Sequence, residues 1–421
     1  MNLVPRMLRR GSFFKKFKNS ERGNVLILVG LSMPMLVGLA GLGTDTIQWS
    51  LMKQQLQRSA DSAALNGAFA KAQSENATTN ANLDLVKTLD GFTGVGISVQ
   101  NAPTSGPFAG NTRAVRVALT YSKALPFSSL FLTTPPTITV DATAAVLNNG
   151  DYCVISLEKT NQTGITFSGN STAELGCGVA SNSTGSAAIT ASGSSSVRAT
   201  PITAVGIVPS SSNYQTGTSL VSYSIPQRDP FGLLPDPTDS IPNPCSGGKL
   251  IVNSNQSKTI NPGCFTEITV HGNLTMNPGI YYINGGNFTT SARSKVVAIG
   301  VTVILTGPGG NIGQVNLNGD ANIEMSAPTS GLYQGVIFFK DDDSPASSND
   351  VFNGGVSGYL LGAIYMPSQK VTLNGNASFK TDCLKIVARQ IEMSGNSKIT
   401  NNCPFDPTKD SFTGTQVRLV G

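Results

Sequence analysis

Few side chains in this 421-residue sequence are placed to do chemistry. Lys340, Asp341, Asp342 and Asp343, followed by Asp350, form its only acidic cluster. Four carboxylates so close together offer the hard oxygen ligands that suit Ca2+. The string lacks the order of an EF-hand loop, however, and an acidic loop beside the apolar run GVIFF is ordinarily solvated. The expectation is therefore no cofactor, with Ca2+ at Asp341, Asp342, Asp343 and Asp350 as the alternative. His271 is the only histidine, which excludes a histidine-rich metal site. It falls on the polar beat of ITVHGNL, so an exposed or turn-facing role is expected in place of general-base catalysis. Asp320, Glu324 and Asp382 are the candidate members of a carboxylate pair of the kind that cleaves polysaccharides. Asp320 occupies a turn position where sister segments carry Asn, which points to backbone bonding. No nucleophile elbow GxSxG and no phosphate loop GxxxxGK[ST] occurs; Gly193-Ser194-Ser195-Ser196 and Gly307-Pro308-Gly309-Gly310 read as turns. The sequence predicts a protein that is not an enzyme.

Cysteine is the remaining reactive type. Cys153, Cys177, Cys245, Cys264, Cys383 and Cys403 are even in number, contain no CxxC and all follow the long apolar run described below. That usage suits disulfides in an oxidising compartment and excludes a zinc knuckle or a thioredoxin-like site.

The elements that carry these residues are mainly β. In the outer region the pattern apolar, polar, apolar, polar, Gly, Asn/Asp recurs: ITFSGNST (165–172), VNLNGDAN (315–322), VTLNGNAS (371–378) and IEMSGNSK (391–398), with ITVHGNLT (268–275) and YYINGGNF (281–288) as looser copies. Alternation followed by Gly-Asn means a short strand and then a tight turn. Such units at intervals of about 20 residues suggest a β-helix or solenoid-like outer domain. In stacked coils, residues one coil apart lie about 4.8 Å from each other, close to what a disulfide needs. The pairs Cys153 with Cys177, Cys245 with Cys264 and Cys383 with Cys403 then each staple adjacent coils. A β-sandwich with long turns is the alternative.

Two features divide this region. Residues 226–244 hold six prolines, a density that prevents ladder pairing and reads as a Pro-rich linker or loop. It separates a β-rich portion, 148–225, from the β-helix-like domain, 245–421, whose C-terminus is expected to fray. Rows of Asn, Ser and Thr along such a domain could bind a surface glycan.

Upstream, Val25 to Gly43 is an apolar run with Ser32 as its only ordinary polar side chain. As a helix it is about 28 Å long, enough to cross a bilayer core of about 30 Å. Pro34 lies near its middle, where a membrane helix tolerates a kink. Residues 1–24 carry seven Lys/Arg against one Glu, and the whole chain has a net charge of +5, so the basic excess belongs to this arm alone. The arm is expected to stay cytoplasmic, with the bulk of the chain periplasmic or extracellular. The outer region has no basic footprint, which argues against nucleic acid. A retained single-pass anchor is favoured over a cleaved signal, because the run is long and continues as helix. Thr44 to Ala72 repeats apolar residues at three to five positions and reads as a helical stalk or as a helix lying on its own domain. Residues 73–147 read as a small membrane-proximal α+β module, with a helix over 83–89 and strands over 95–99, 114–120 and 137–146.

The stretch ERGNVLILVGLSMPMLVGLAGLGTDTIQWSLMKQQLQRSADSAALNGA, Glu21 to Ala68, resembles the N-terminal region of TadG-like and TadE-like Flp (tight adherence) pilus-assembly proteins. The resemblance rests on Arg22, Gly23 and Asn24 leading into the span, Asp45 and Trp49 at and after its small-residue end, and the basic, Gln-rich turn that follows. Ala60, Asp61 and Ala64 complete it in the segment Ala60 to Leu65. It implies a single-pass protein of a bacterial inner membrane, with other Tad/Flp assembly proteins as partners and a part in pilus assembly or adhesion. The von Willebrand A motif DxSxS found in relatives does not occur here. The fifth residue after Gly23 is Leu28, where some minor pilins carry glutamate. A glycan- or surface-binding solenoid is the alternative function, and a β-helical carbohydrate-active enzyme comes third.

Overall fold

A computed structural model describes residues 23–237, 245, 247–344, 349–353, 357–375, 378–381, 383–401 and 412–420. The chain is mainly β with one long N-terminal helix. It forms two compact units, residues 1–145 with 418–421, and residues 146–417.

The first unit is built on helix α1, Gly23–Ala72, which runs without interruption through Pro34. Its first half is apolar and exposed, from Ile27 to Leu42. Its second half buries Leu56, Ala60, Ala63, Ala64 and Ala68 at three- and four-residue spacing, one face of a helix. Short side chains on that face let two elements approach closely. A Cβ on Gly67 would lie 3.0 Å from Val115 and 3.2 Å from the Ala77 carbonyl. Helix α2, Ala77–Thr88, is capped by Asn76, whose side chain accepts from Thr79 N, and buries Ala77, Ala81 and Leu85. Strands β1 (Gly96–Gln100), β2 (Ala114–Ser122) and β3 (Thr137–Ser156) form an antiparallel sheet, with Val117 opposite both Val99 and Ala142. Of the two readings of the alanine face, the second holds: it packs on its own module. The helix over 77–88 is longer at its start than the expected 83–89, because the Asn76 cap lies upstream of the apolar signal.

The second unit consists of parallel ladders. Lys249–Val252 pairs with Glu267–Val270, which pairs with Phe288–Thr290, which pairs with Val315–Leu317. Companion ladders run through Ser257–Ile260, Asn273–Met276, Lys295–Ile299 and Asn322–Ser326. Period-two alternation sends Leu250, Val252, Ile268, Val270, Phe288, Val315 and Leu317 into one continuous core. Cys153 and Cys177 are bonded with Cα atoms 5.8 Å apart, and Cys245 and Cys264 with Cα atoms 5.0 Å apart. Cys383 is also disulfide-bonded; Cys403 lies outside the described residues.

The order of stacking departs from the order of the chain. Leu384–Met393, near the C-terminus, pairs with Val154–Ser156 and Ile165–Phe167 near the start of the unit. Lys398–Asn401 pairs likewise with Thr172–Leu175. The strands of 152–221 therefore sit on top of the last ones made, and Leu220–Val221 and Lys249–Val252 fall at opposite ends of the stack. Residues 226–237, the described part of the segment between them, make contacts of their own. Asn182 exchanges two hydrogen bonds with the Gln227 backbone, and Tyr365 donates to Asp229 at 2.9 Å. Phe231 meets the rings of Tyr365 and Phe412, and Cys245 ends the segment at Cys264. Proline suits residues 226–237, which pair with no ladder. The portions on either side of the Pro-rich linker or loop contribute to one core. Residues 238–244 lie outside the described part.

Candidate functional site

The acidic cluster resolves into two parts. Strand Val336–Lys340 pairs with 303–305 so that Lys340 stands opposite Leu305, on a core position. Asp350 stands opposite Val371 in the neighbouring strand pair, also on a core position. Both are fully buried, and Lys340 Nζ lies 2.9 Å from Asp350 Oδ2. The other Asp350 oxygen accepts from Val315 N at 2.7 Å. Burial pushes the Lys340 amine down and the Asp350 carboxyl up, each toward its neutral form, while the pairing opposes both shifts. Asp341, buried as well, accepts from Thr306 Oγ1 at 2.7 Å and from Asp343 N at 3.1 Å. Burial raises its carboxyl pKa. Carboxylate oxygens of Asp341, Asp342 and Asp343 come within 4.8 Å of one another. Asp350 is not among them, so the four aspartates do not form one ligand set. Strand alternation carried the signal, because Phe338 and Lys340 share a beat.

The other candidate groups are not brought together. His271 Nδ1 lies 2.7 Å from Ser291 Oγ, and its backbone N donates to Val252 O. This turn-end position agrees with the sequence, which did not reveal Ser291. Asp320 has φ +62°, a left-handed turn position, with its carbonyl accepting from Arg293 N. Glu324 pairs with Lys295 at 3.1 Å, and Asp382 lies outside the described residues. Polar rows bond to each other across ladders: Asn277 to Asn261, Asn170 to Asn396 and Asn273 to Ser257.

In the first unit, the functional geometry gathers where the apolar half of α1 ends. Asp45 is 1% exposed. Its Oδ2 accepts from Phe127 N at 3.1 Å, Ser128 N at 2.6 Å and Ser128 Oγ at 2.7 Å. One turn earlier, a Cβ on Gly41 would lie 2.1 Å from the Phe127 ring, so glycine is what admits that ring. Trp49, one turn after Asp45, is half-buried. Further along, Gln57 Nε2 donates to Asp61 Oδ1 at 2.8 Å and to Asp141 O at 3.0 Å. Ala60 and Ala64 are buried.

Residues 23–72 match the family described as putative Flp pilus-assembly TadE/G-like. Helix α1 is a TadE/G-like segment. No curated protein and no solved structure matches the chain.

The bounds of the TadE/G-like segment coincide with those of α1, Gly23–Ala72, and contain Pro34, Asp45, Trp49, Ala60, Asp61 and Ala64. Arg22 and the rest of the basic arm lie outside the described residues; Gly23 and Asn24 are helical. Gly41 and Ser128, the partners that give Asp45 its surroundings, were missed by sequence reasoning. Gly41 was read only as one small residue among several, and Ser128 stands more than eighty positions downstream.

Proposed function

We propose that this protein is a membrane-anchored, non-enzymatic component of Tad/Flp pilus assembly or of the adhesion that such pili serve. The carrying observation is that the TadE/G-like segment coincides with one helix whose first half is apolar, exposed and long enough to cross a bilayer. On this reading α1 holds the chain in the bacterial inner membrane with residues 1–24 in the cytoplasm, as their basic charge favours. Residues 146–417 form a β-solenoid body outside that membrane. The Asn rows that bond to one another across the ladders support the use of this body as a rigid surface.

Deletion of the gene is expected to abolish pilus formation and surface attachment, with both restored by the full chain. Unchanged pili in the deletion strain would refute the reading.

A further inference from the structure

The segment that Asp45 holds carries an unpartnered apolar tip. Residues 125–136 read LPFSSLFLTTPP, with a short helical turn over Ser128–Leu130. Leu125 and Ser128 are buried, whereas Leu130 is 75% exposed, Phe131 69% and Leu132 47%. Three consecutive large apolar side chains exposed on a loop are costly in water.

Their height along α1 is fixed by contacts. The Phe127 ring fits over Gly41, and Phe127 N, Ser128 N and Ser128 Oγ donate to Asp45. Gly41 and Asp45 bracket the end of the apolar run, where a helix that starts its crossing at Val25 leaves the hydrocarbon. The loop is thereby clamped at the level of the bilayer boundary, with Leu130, Phe131 and Leu132 one short turn beyond the clamp. Aromatic and aliphatic side chains at that depth partition into the boundary between headgroups and acyl chains.

We propose that Leu130, Phe131 and Leu132 insert into the lipid leaflet from which α1 emerges, making a second membrane contact beside the span. The occupant is lipid, because Gly41 and Asp45 hold the loop where the apolar, exposed half of α1 ends. The proposal rests on the reading of α1 as a membrane anchor. Its role would be to fix the tilt and rotation of the first unit on the membrane, which a single helix does not set.

The test uses the full chain in proteoliposomes of phosphatidylethanolamine and phosphatidylglycerol. An environment-sensitive fluorophore is attached at one of three single substitutions, Phe131→Cys, Leu36→Cys or Val86→Cys. Leu36 reports the span. Val86 lies in α2, whose C-terminal end meets Ser59 through the Thr88 carbonyl, about 21 Å along α1 from Asp45 at 1.5 Å per residue. Phe131 is exposed, so its replacement removes no core contact. The expected result is blue-shifted emission at 131 that is lost with shallow doxyl lipids. Emission at 36 is to be lost with deep doxyl lipids, and emission at 86 only with a soluble quencher. If 36 is quenched by lipid and 131 behaves like 86, the insertion is overturned while the anchor stands. If 36 is not quenched by lipid, the anchor reading fails and the insertion fails with it.

Discussion

The two units solve the same problem, burying an apolar face, by different means. In the first, the contacts depend on small residues at particular places. Gly41 admits the Phe127 ring, Gly67 admits Val115, and Ala60, Ala64 and Ala68 let α1 lie close to its neighbours. In the second, many interchangeable branched and aromatic side chains stack in register, and the fold follows from alternation. The TadE/G-like match falls on α1, the helix that carries these small residues. Alternation tolerates substitution of one apolar residue for another, so a stacked body keeps its shape while its sequence drifts.

Four measurements probe that contrast. The stacked body should be most sensitive where its interchangeability fails, at the fully buried Lys340–Asp350 ion pair on its core positions. Lys340→Met should destabilise the second unit by about 3–5 kcal/mol, because it leaves Asp350 buried without its cation. Adding Asp350→Leu should recover a large part of the loss; urea unfolding followed by circular dichroism would read both, and an effect below that of a surface lysine would remove Lys340 from the core. Joint replacement of Cys153 and Cys177 by serine should cost about 3 kcal/mol, as expected for a link across 24 residues. Full reduction of the wild-type protein should cost more, because it also breaks Cys245–Cys264 and the bond of Cys383.

The first unit should respond locally. Asp45→Ala removes the acceptor of two backbone donors and should loosen the loop at Phe127 and Ser128. Amide hydrogen exchange should speed up at Phe127 and Ser128, while the ladder amides of 165–167 stay protected. If protection falls equally in both regions, the two units are energetically one.

The smallest effect concerns acid. Burial disfavours the Glu158 carboxylate, but hydrogen bonds from the Thr160 backbone and side chain and the charge of Arg389, 2.8 Å away, outweigh it and hold the pKa below the usual range. A carboxyl depressed in the folded state stabilises above its unfolded pKa, and that contribution fades as pH falls through the folded pKa. Glu158→Gln should therefore lower stability near neutral pH by about 1.5 kcal/mol and flatten the acid side of the profile of melting temperature against pH.

Local patterning made the β class, the long helix and the three antiparallel strands legible, because alternation and apolar periodicity are written in consecutive residues. The Cys153–Cys177 and Cys245–Cys264 links followed from their spacing. What was not legible depended on residues far apart in the chain. Asp45 gave no sign that Ser128 would answer it. An acidic string reads as a solvated loop, although counting the strand beat from Phe338 places Lys340 inside. The prolines of 226–244 announced an unpaired segment, but not that Asn182, Tyr365 and Phe412 would meet residues 227–231 of it.

The stacking order has a temporal consequence. The strands over 152–198 leave the ribosome early, yet Val154–Ser156, Ile165–Phe167 and Thr172–Leu175 find one set of ladder partners only in residues 384–401. Pairing across so great a separation is slow to form. A chain still being synthesised or exported therefore has an open lower surface on its first strands, and folding of the body finishes only when the C-terminal strands arrive. Premature termination before residue 384 would leave those strand edges bare, which makes the shortened product a substrate for proteases or for aggregation rather than a smaller working version of the protein.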